Sequence, residues 1–372
     1  MGRARTVLGI AAIAAAAGAA AWALRDVPAA LGGRPGRGER GERVRRSPQF
    51  RDGAFHNNVV TTTMQPATAG QMLRNLLLGG EQRRPVGRVP LVTSNDAATA
   101  PIAEGLAITW YGHATALVEI AGRRVLIDPV WSARCSPSRL LGPRRLHDMP
   151  VALADLPPVD AVIISHDHYD HLDMATIRAL TRDGEAVFIV PLGVGAHLER
   201  WGVPAGRLVE LDWNEQATVG DVTLTLTAAR HFSGRGLARD NTLWGSWVIA
   251  GGGRSVFYTG DSGYFDGYAA IGAEHGPFDA TLMQIGAYGQ EWPFIHMTPE
   301  EAVAAHNDLG GGLLIPVHWA SFNLAFHAWT EPADRIWVEA KARDVRLAVP
   351  RPGERVDVDA PPAVDGWWQA LT

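Results

Sequence analysis

From Leu106 onward, short runs of apolar and β-branched residues recur between glycine, proline and charged positions, and they read as strands. Leu106–Tyr111, Thr115–Ile120 and Arg124–Ile127 form a first group, the last two joined hairpin-fashion at Ala121-Gly122. Ala161-Val162-Ile163-Ile164 and Val187–Val190 follow as buried strands. Between them the apolar positions switch to helical spacing at Met174, Ile177 and Leu180, with Asp173 placed to cap the helix and Gly184 ending it. A second β-rich group comprises Thr218-Val219, Val222–Thr227, Leu243–Ala250 and Ser255–Tyr258. Pro299–Ala305 opens as a helix with proline at its first position, and Leu313–Val317 is a last buried strand. Two β-rich halves, each carrying helices, predict an α/β sandwich of two sheets packed face to face.

The N-terminal part follows another pattern. Arg3 and Arg5 precede the uncharged, alanine-rich run Val7–Leu24. This predicts a membrane anchor or signal segment over residues 1–30 and a membrane-associated chain, with a cytoplasmic one as the alternative. Ala21-Trp22-Ala23 lies inside the run, so no cleavage site stands out, and arginines on both sides leave the orientation open. Residues 31–54, rich in arginine and glycine with almost nothing to bury, predict a flexible linker. Residues 55–105 are expected to pack on the core as an extension with one amphipathic helix, Thr68–Leu78. A single catalytic domain is then expected over 106–350, with a C-terminal tail over 351–372.

Composition narrows the chemistry. A chain of 372 residues can bury a large core, and a net charge of −5 gives no pull toward nucleic acid. Cys135 is the only cysteine, which excludes an intrachain disulfide and a cysteine-built zinc site. Any metal must therefore be held by histidine and carboxylate.

Ser165-His166-Asp167-His168-Tyr169-Asp170-His171 places three histidines and two carboxylates directly after the strand Ala161–Ile164. Ligands at a strand exit can converge while the strand and the following helix hold them rigid. Three further metal-type residues also stand just past strands: His231, Asp261 within Tyr258-Thr259-Gly260-Asp261-Ser262-Gly263, and His318. One ion needs about four ligands, so this set is too large for one ion and suits two.

His166-x-His168-x-Asp170-His171 followed by His231, Asp261 and His318 resembles the signature of the metallo-β-lactamase superfamily. The resemblance implies a four-layer αββα sandwich with two Zn²⁺ ions at the sheet edges. His166, His168 and His231 would hold one ion; Asp170, His171 and His318 would hold the other, with Asp261 bridging. A narrower set of motifs resembles the N-acyl-phosphatidylethanolamine-hydrolysing phospholipase D family. It includes Trp110-Tyr111-Gly112-His113-Ala114-Thr115, Asp128-Pro129, Leu243-Trp244-Gly245-Ser246-Trp247 and His296-Met297-Thr298-Pro299. The sequence departs from that family at Gly289-Gln290-Glu291 and Gly234-Arg235-Gly236, loops that border the pocket in this fold.

That narrower resemblance implies a phosphodiesterase in which a hydroxide between the two ions attacks phosphorus, releasing phosphatidic acid and an N-acylethanolamine. Asp170 would orient the hydroxide, and His296 would give a proton to the leaving oxygen or else cap the following helix. His113 is expected to support the site by hydrogen bonds, and Asp128 to hold a turn. The partners implied are a phospholipid substrate and a membrane surface, with homo-oligomerisation left open. Of the 13 tryptophans, Trp131, Trp292, Trp319 and Trp329 are expected at the substrate mouth. A lactonase or other carbonyl hydrolase is the alternative within the fold. A non-catalytic, membrane-attached binding module is the alternative outside enzymes.

Overall fold

The computed structural model describes residues 22–65, 70, 74, 75, 79–93 and 105–372. Along the chain run helices α1 (Val27–Ala30) and α2 (Gly38–Arg46) and a small hairpin, β1 (Phe50–Arg51) with β2 (Ala54–Phe55). Strands β3 (Ala107–Gly112), β4 (Thr115–Ile120), β5 (Arg123–Ile127) and β6 (Ala161–Ile163) follow. Next come α3 (Met174–Asp183), β7 (Val187–Pro191), α4 (Gly195–Arg200) and β8 (Leu208–Leu211). The second half holds β9 (Gln216–Val219), β10 (Val222–Thr227), β11 (Ser246–Gly251), β12 (Arg254–Tyr258), α5 (Gly267–His275) and β13 (Phe278–Gln284). It closes with α6 (Pro299–Asp308), β14 (Gly311–Val317), α7 (Glu331–Ala342), β15 (Arg346–Leu347) and β16 (Arg355–Asp357).

The strands make two seven-stranded sheets, ordered β16-β3-β4-β5-β6-β7-β8 and β15-β14-β13-β12-β11-β10-β9. In each, an antiparallel meander passes into parallel strands, β5 onward in the first and β12 onward in the second. Side chains of a strand alternate between faces, so a strand covered on both faces reads as continuously apolar. In β4, Ala116, Val118 and Ile120 enter the core shared with the second sheet, while Leu117 joins Met174 and Ile177 of α3 on the other face. Residues of α6 and α7 (Val303, Ile336) pack into the shared cluster from the second sheet's side. The layers are therefore helix, sheet, sheet, helix, and each fully buried aliphatic side chain contributes about 1.5–3 kcal/mol.

The helix starts follow their local chemistry. Asp173 caps α3 by accepting from the Ala175 amide at 3.2 Å. Thr298 and Glu301 form a reciprocal capping box on α6, with Pro299 supplying a preset φ where no amide donor is needed.

Three expectations change. The apolar run lies outside the described residues up to position 21, and among the described residues no helix is long and apolar enough to cross a membrane. That overturns the membrane-associated localisation read from it. Arg25 and Asp26 end the run, and Pro28 opens a separate short helix docked on the domain, where Trp201 Nε1 donates to Ala29 O at 2.8 Å. The expected flexible linker contains α2, because its arginines find distant carboxylates: Arg40 pairs with Glu199 at 2.9 Å and with Glu210, and Arg43 with Glu215. The expected C-terminal tail is built into the fold, since β16 pairs with β3 and Trp368 is fully buried. The helix expected over Thr68–Leu78 lies largely outside the described residues.

Candidate metal centre

Strand β6 ends at Ile163, and the chain turns sharply because Asp128 grips Ser165 from the neighbouring β5 exit. The Asp128 carboxylate accepts from the Ser165 amide at 2.7 Å, the Ser165 hydroxyl at 2.5 Å and the Tyr258 hydroxyl at 2.5 Å. It also lies 2.7 Å from His171 Nδ1. The loop is closed as a turn by the amides of His171 and Leu172 donating to His168 O at 3.1 and 2.8 Å. From the second sheet, His231 follows β10, Asp261 follows β12 and His318 follows β14. All seven residues expected to bind metal meet here.

They form two adjoining groups sharing a carboxylate. Ligand atoms of His166, His168, His231 and Asp261 lie within 4.8 Å of one another, as do those of His113, Asp170, His171 and His318. Asp261 Oδ2 is 3.1 Å from His171 Nε2, 3.7 Å from His231 Nε2 and 3.8 Å from His166 Nε2. Its other oxygen is 3.2 Å from His318 Nε2. Asp170 Oδ2 is 2.9 Å from His113 Nε2, 3.2 Å from His318 Nε2 and 3.5 Å from His171 Nε2. Ring orientations are set from behind: His231 Nδ1 bonds Ile295 O at 2.9 Å, so Nε2 faces the group.

Burial drives His166 and His231 far below the usual imidazole range, since a charged ring there would lose its hydration. Burial also opposes charge on His318, yet the Asp261 and Asp170 carboxylates lift it to about 9. Burial works to raise both aspartates, and the surrounding histidines, His171 foremost, hold them well below the usual carboxylate range. His171 Nε2, His296 Nδ1 and Asp261 Oδ1 are buried without a hydrogen-bond partner. Buried polar atoms normally find partners, so converging lone pairs left unmatched fit a centre for two divalent cations.

A cleft of about 250 Å³ opens onto this group. His168, Asp170, Asp261, His296 and His318 line it together with the apolar Met64, Phe232, Trp292 and Leu324 and the cation Arg239. His296 also borders a second cleft with Tyr288, Gly289 and Glu291. Only Trp292 of the four tryptophans expected at the mouth lines this cleft. Trp319 and Trp329 are buried behind His318, Trp319 stacking on Trp110 at 5.7 Å, and Trp131 packs against Tyr111. Sequence reasoning did not single out Phe232, Arg239 or Tyr258. The position of Tyr258 at a strand end beside Asp261 was the only signal for it.

A family described as the beta-lactamase superfamily domain matches residues 123–319, more than half of the chain. An uncharacterized protein of Mycobacterium tuberculosis is 48% identical, over 98% of this chain and 99% of that protein. The N-acyl-phosphatidylethanolamine-hydrolyzing phospholipase D 1 of Caenorhabditis elegans is 35% identical over 64% of this chain and 71% of its own length. Among solved structures, a metallo hydrolase from Ignicoccus hospitalis shares the fold at a TM-score of 0.53 and 24% identity, over 68% of this chain and 97% of that one. With its αββα layers and a histidine–aspartate centre where the two sheets meet, the chain belongs to the metallo-β-lactamase superfamily and is a metal-dependent hydrolase.

Proposed function

We propose that the chain is a phosphodiesterase of the phospholipase D type, cleaving N-acyl-phosphatidylethanolamine-like lipids to phosphatidic acid and an N-acylethanolamine. One observation carries the reading: an apolar cleft ends on a floor of buried histidines and aspartates, with a guanidinium at its edge. Arg239 lies 4.3 Å over the Phe232 ring and has no carboxylate within salt-bridge distance among the described residues, so it is available to a phosphate. The similarity to the nematode phospholipase D supports the same substrate class.

His166, His168 and His231 would hold one zinc ion, Asp170, His171 and His318 the other, with Asp261 between them. When bound, such a pair lowers the pKa of water and neutralises charge on a phosphoryl oxygen. The chain's own residues do the rest. Asp170, pinned by His113 and His318 yet open to the cleft, accepts a hydrogen bond from the attacking water and sets its direction. His296, at the cleft 4.0 Å from Asp261, would hydrogen-bond the leaving oxygen and hand it the proton given up by the attacking water. Met64, Phe232, Trp292 and Leu324 keep bulk water away and take acyl chains. Val60 and Phe294 are exposed beside this rim, which suits a substrate presented from a lipid surface.

Zinc-loaded protein incubated with N-acyl-phosphatidylethanolamine and, separately, with acyl lactones decides the matter by mass spectrometry of products. Phosphatidic acid and N-acylethanolamine are expected. Lactone opening with the phospholipid untouched overturns the proposal.

A further inference from the structure

Asp167 stands between the two histidines of the loop, takes no part in the dimetal reading, and is fully buried. It is held from three directions. His197 Nε2 lies 3.3 Å from Oδ2, the Gly234 amide donates to Oδ1 at 2.7 Å, and Arg235 Nη1 donates to the Asp167 carbonyl at 2.5 Å. The same Arg235 nitrogen donates to Leu172 O at 2.9 Å, so one guanidinium spans the loop from its start to its end.

Both holders are themselves held by the segment that precedes the domain. The Gly33 amide donates to His197 Nδ1 at 2.9 Å, which leaves the His197 proton on Nε2, the atom facing Asp167. Arg235 Nε donates to Ala30 O at 2.9 Å. The guanidinium lies 4.0 Å over Tyr169 and 5.0 Å over Trp201, and the Trp201 indole is bonded to Ala29 O. Two glycines permit the approach. A Cβ on Gly32, at φ +83°, would stand 2.0 Å from His197 Nδ1, and one on Gly33 would stand 1.9 Å from Ala196 O. Arg40 of α2 then ties the segment to Glu199 of α4, the helix that carries His197.

We propose that residues 29–46 form a strap that is part of the metal centre, with His197 and Arg235 as positioning residues that transmit its docking to the His166–His171 loop. The proposal rests on the dimetal reading above. With the strap undocked, His197 loses its fixed tautomer and Arg235 its anchor. The peptide that aims His166 and His168 is then free to shift.

The test uses the full chain loaded with zinc and follows zinc transfer to a chromophoric chelator. Gly33→Ala leaves every group of His197 and Asp167 in place while displacing the strap, and His197→Gln leaves the strap's glycines in place. Each is expected to weaken zinc retention by about 10–100-fold, with Gln and Ala together no worse than the stronger single change, since both cut the same path. Hydrogen exchange of the zinc-free chain should show lost protection at residues 166–171 in both. His197→Gln carries the test if Gly33→Ala does not fold. Zinc held as firmly by the variants as by the wild type, or additive losses in the double variant, overturns the strap alone. A wild type that takes up no zinc defeats the dimetal reading and the strap with it.

Discussion

Asp128 Oδ2 stands 2.7 Å from His171 Nδ1, and both side chains are fully buried. With Nδ1 committed to this carboxylate, Nε2 is the ring atom turned toward Asp261 and Asp170. Asp128 itself adopts φ +38° at the end of β5 and gathers Ser165 and Tyr258 as well, so one side chain aims His171 and shapes the start of the loop. Asp128→Asn replaces an acceptor oxygen with an amide of the same shape. Zinc affinity is expected to fall about 10–100-fold, read by competition with a chelator. Unchanged affinity would leave Asp128 a purely structural turn residue.

In the proposed mechanism Asp170 would both hold metal and direct water, and its carboxylate is partly open to the cleft. Asp170→Asn should lower kcat by about 10²–10³-fold or more with little change in circular dichroism. A variant that keeps both its metal and its rate would refute the assigned role.

His296 touches the cleft but stands 4.0 Å from Asp261, further out than His166, His171, His231 and His318. His296→Ala should keep its zinc and lose about 10²-fold in kcat, and His296→Gln should recover part of the loss because its amide can still donate. An activated aryl leaving group should be far less sensitive to either change. Equal losses with both substrates would point away from the leaving oxygen.

His306 offers a pH effect separate from the metal centre. It is buried against Thr281, whose hydroxyl is 2.7 Å from Nδ1, and burial pushes it from 6.5 down to about 4. The fold keeps the ring neutral, while the unfolded chain binds a proton below about 6.5. More protons are bound by the unfolded state between these values, so the contribution to stability is present above pH 6.5 and is lost as pH falls toward 4, approaching about 3 kcal/mol. Urea unfolding of the zinc-free chain at pH 7 and pH 5 should show a smaller drop for His306→Gln than for the wild type. An identical drop in both would remove His306 from the account.

Strands buried on both faces were legible because continuous apolar runs need no partner to be recognised, as in Ala161–Ile163 and Val187–Pro191. The site was legible for a related reason: each chemistry-bearing residue stands just past such a run. What escaped depended on partners distant in sequence. Phe278–Gln284 lies inside the second sheet, yet Asp279, Thr281 and Gln284 break its pattern. Their polar groups are answered by Arg254, His306 and the Met297 amide. The arginines of Gly38–Arg46 looked unfoldable until Glu199, Glu210 and Glu215 came beside them. Leu243 reads as strand but precedes it, because the amides of Leu243 and Gly245 bond to Leu192 O and Ser165 O instead of joining the ladder.

The candidate ligands are divided between the two sheets: His166, His168, Asp170 and His171 leave the first, while His231, Asp261 and His318 leave the second. Ions held there would work as a cross-link between the two halves of the domain, closing loops much as a disulfide does in chains that have the cysteines for it. Neither half carries a complete donor set, so the ions can be captured only after the sheets have docked face to face. A chain with one sheet misplaced stays empty and inert. Loading is thus a checkpoint on assembly, and a hydrolytic centre of this kind cannot arm itself on a partly folded molecule.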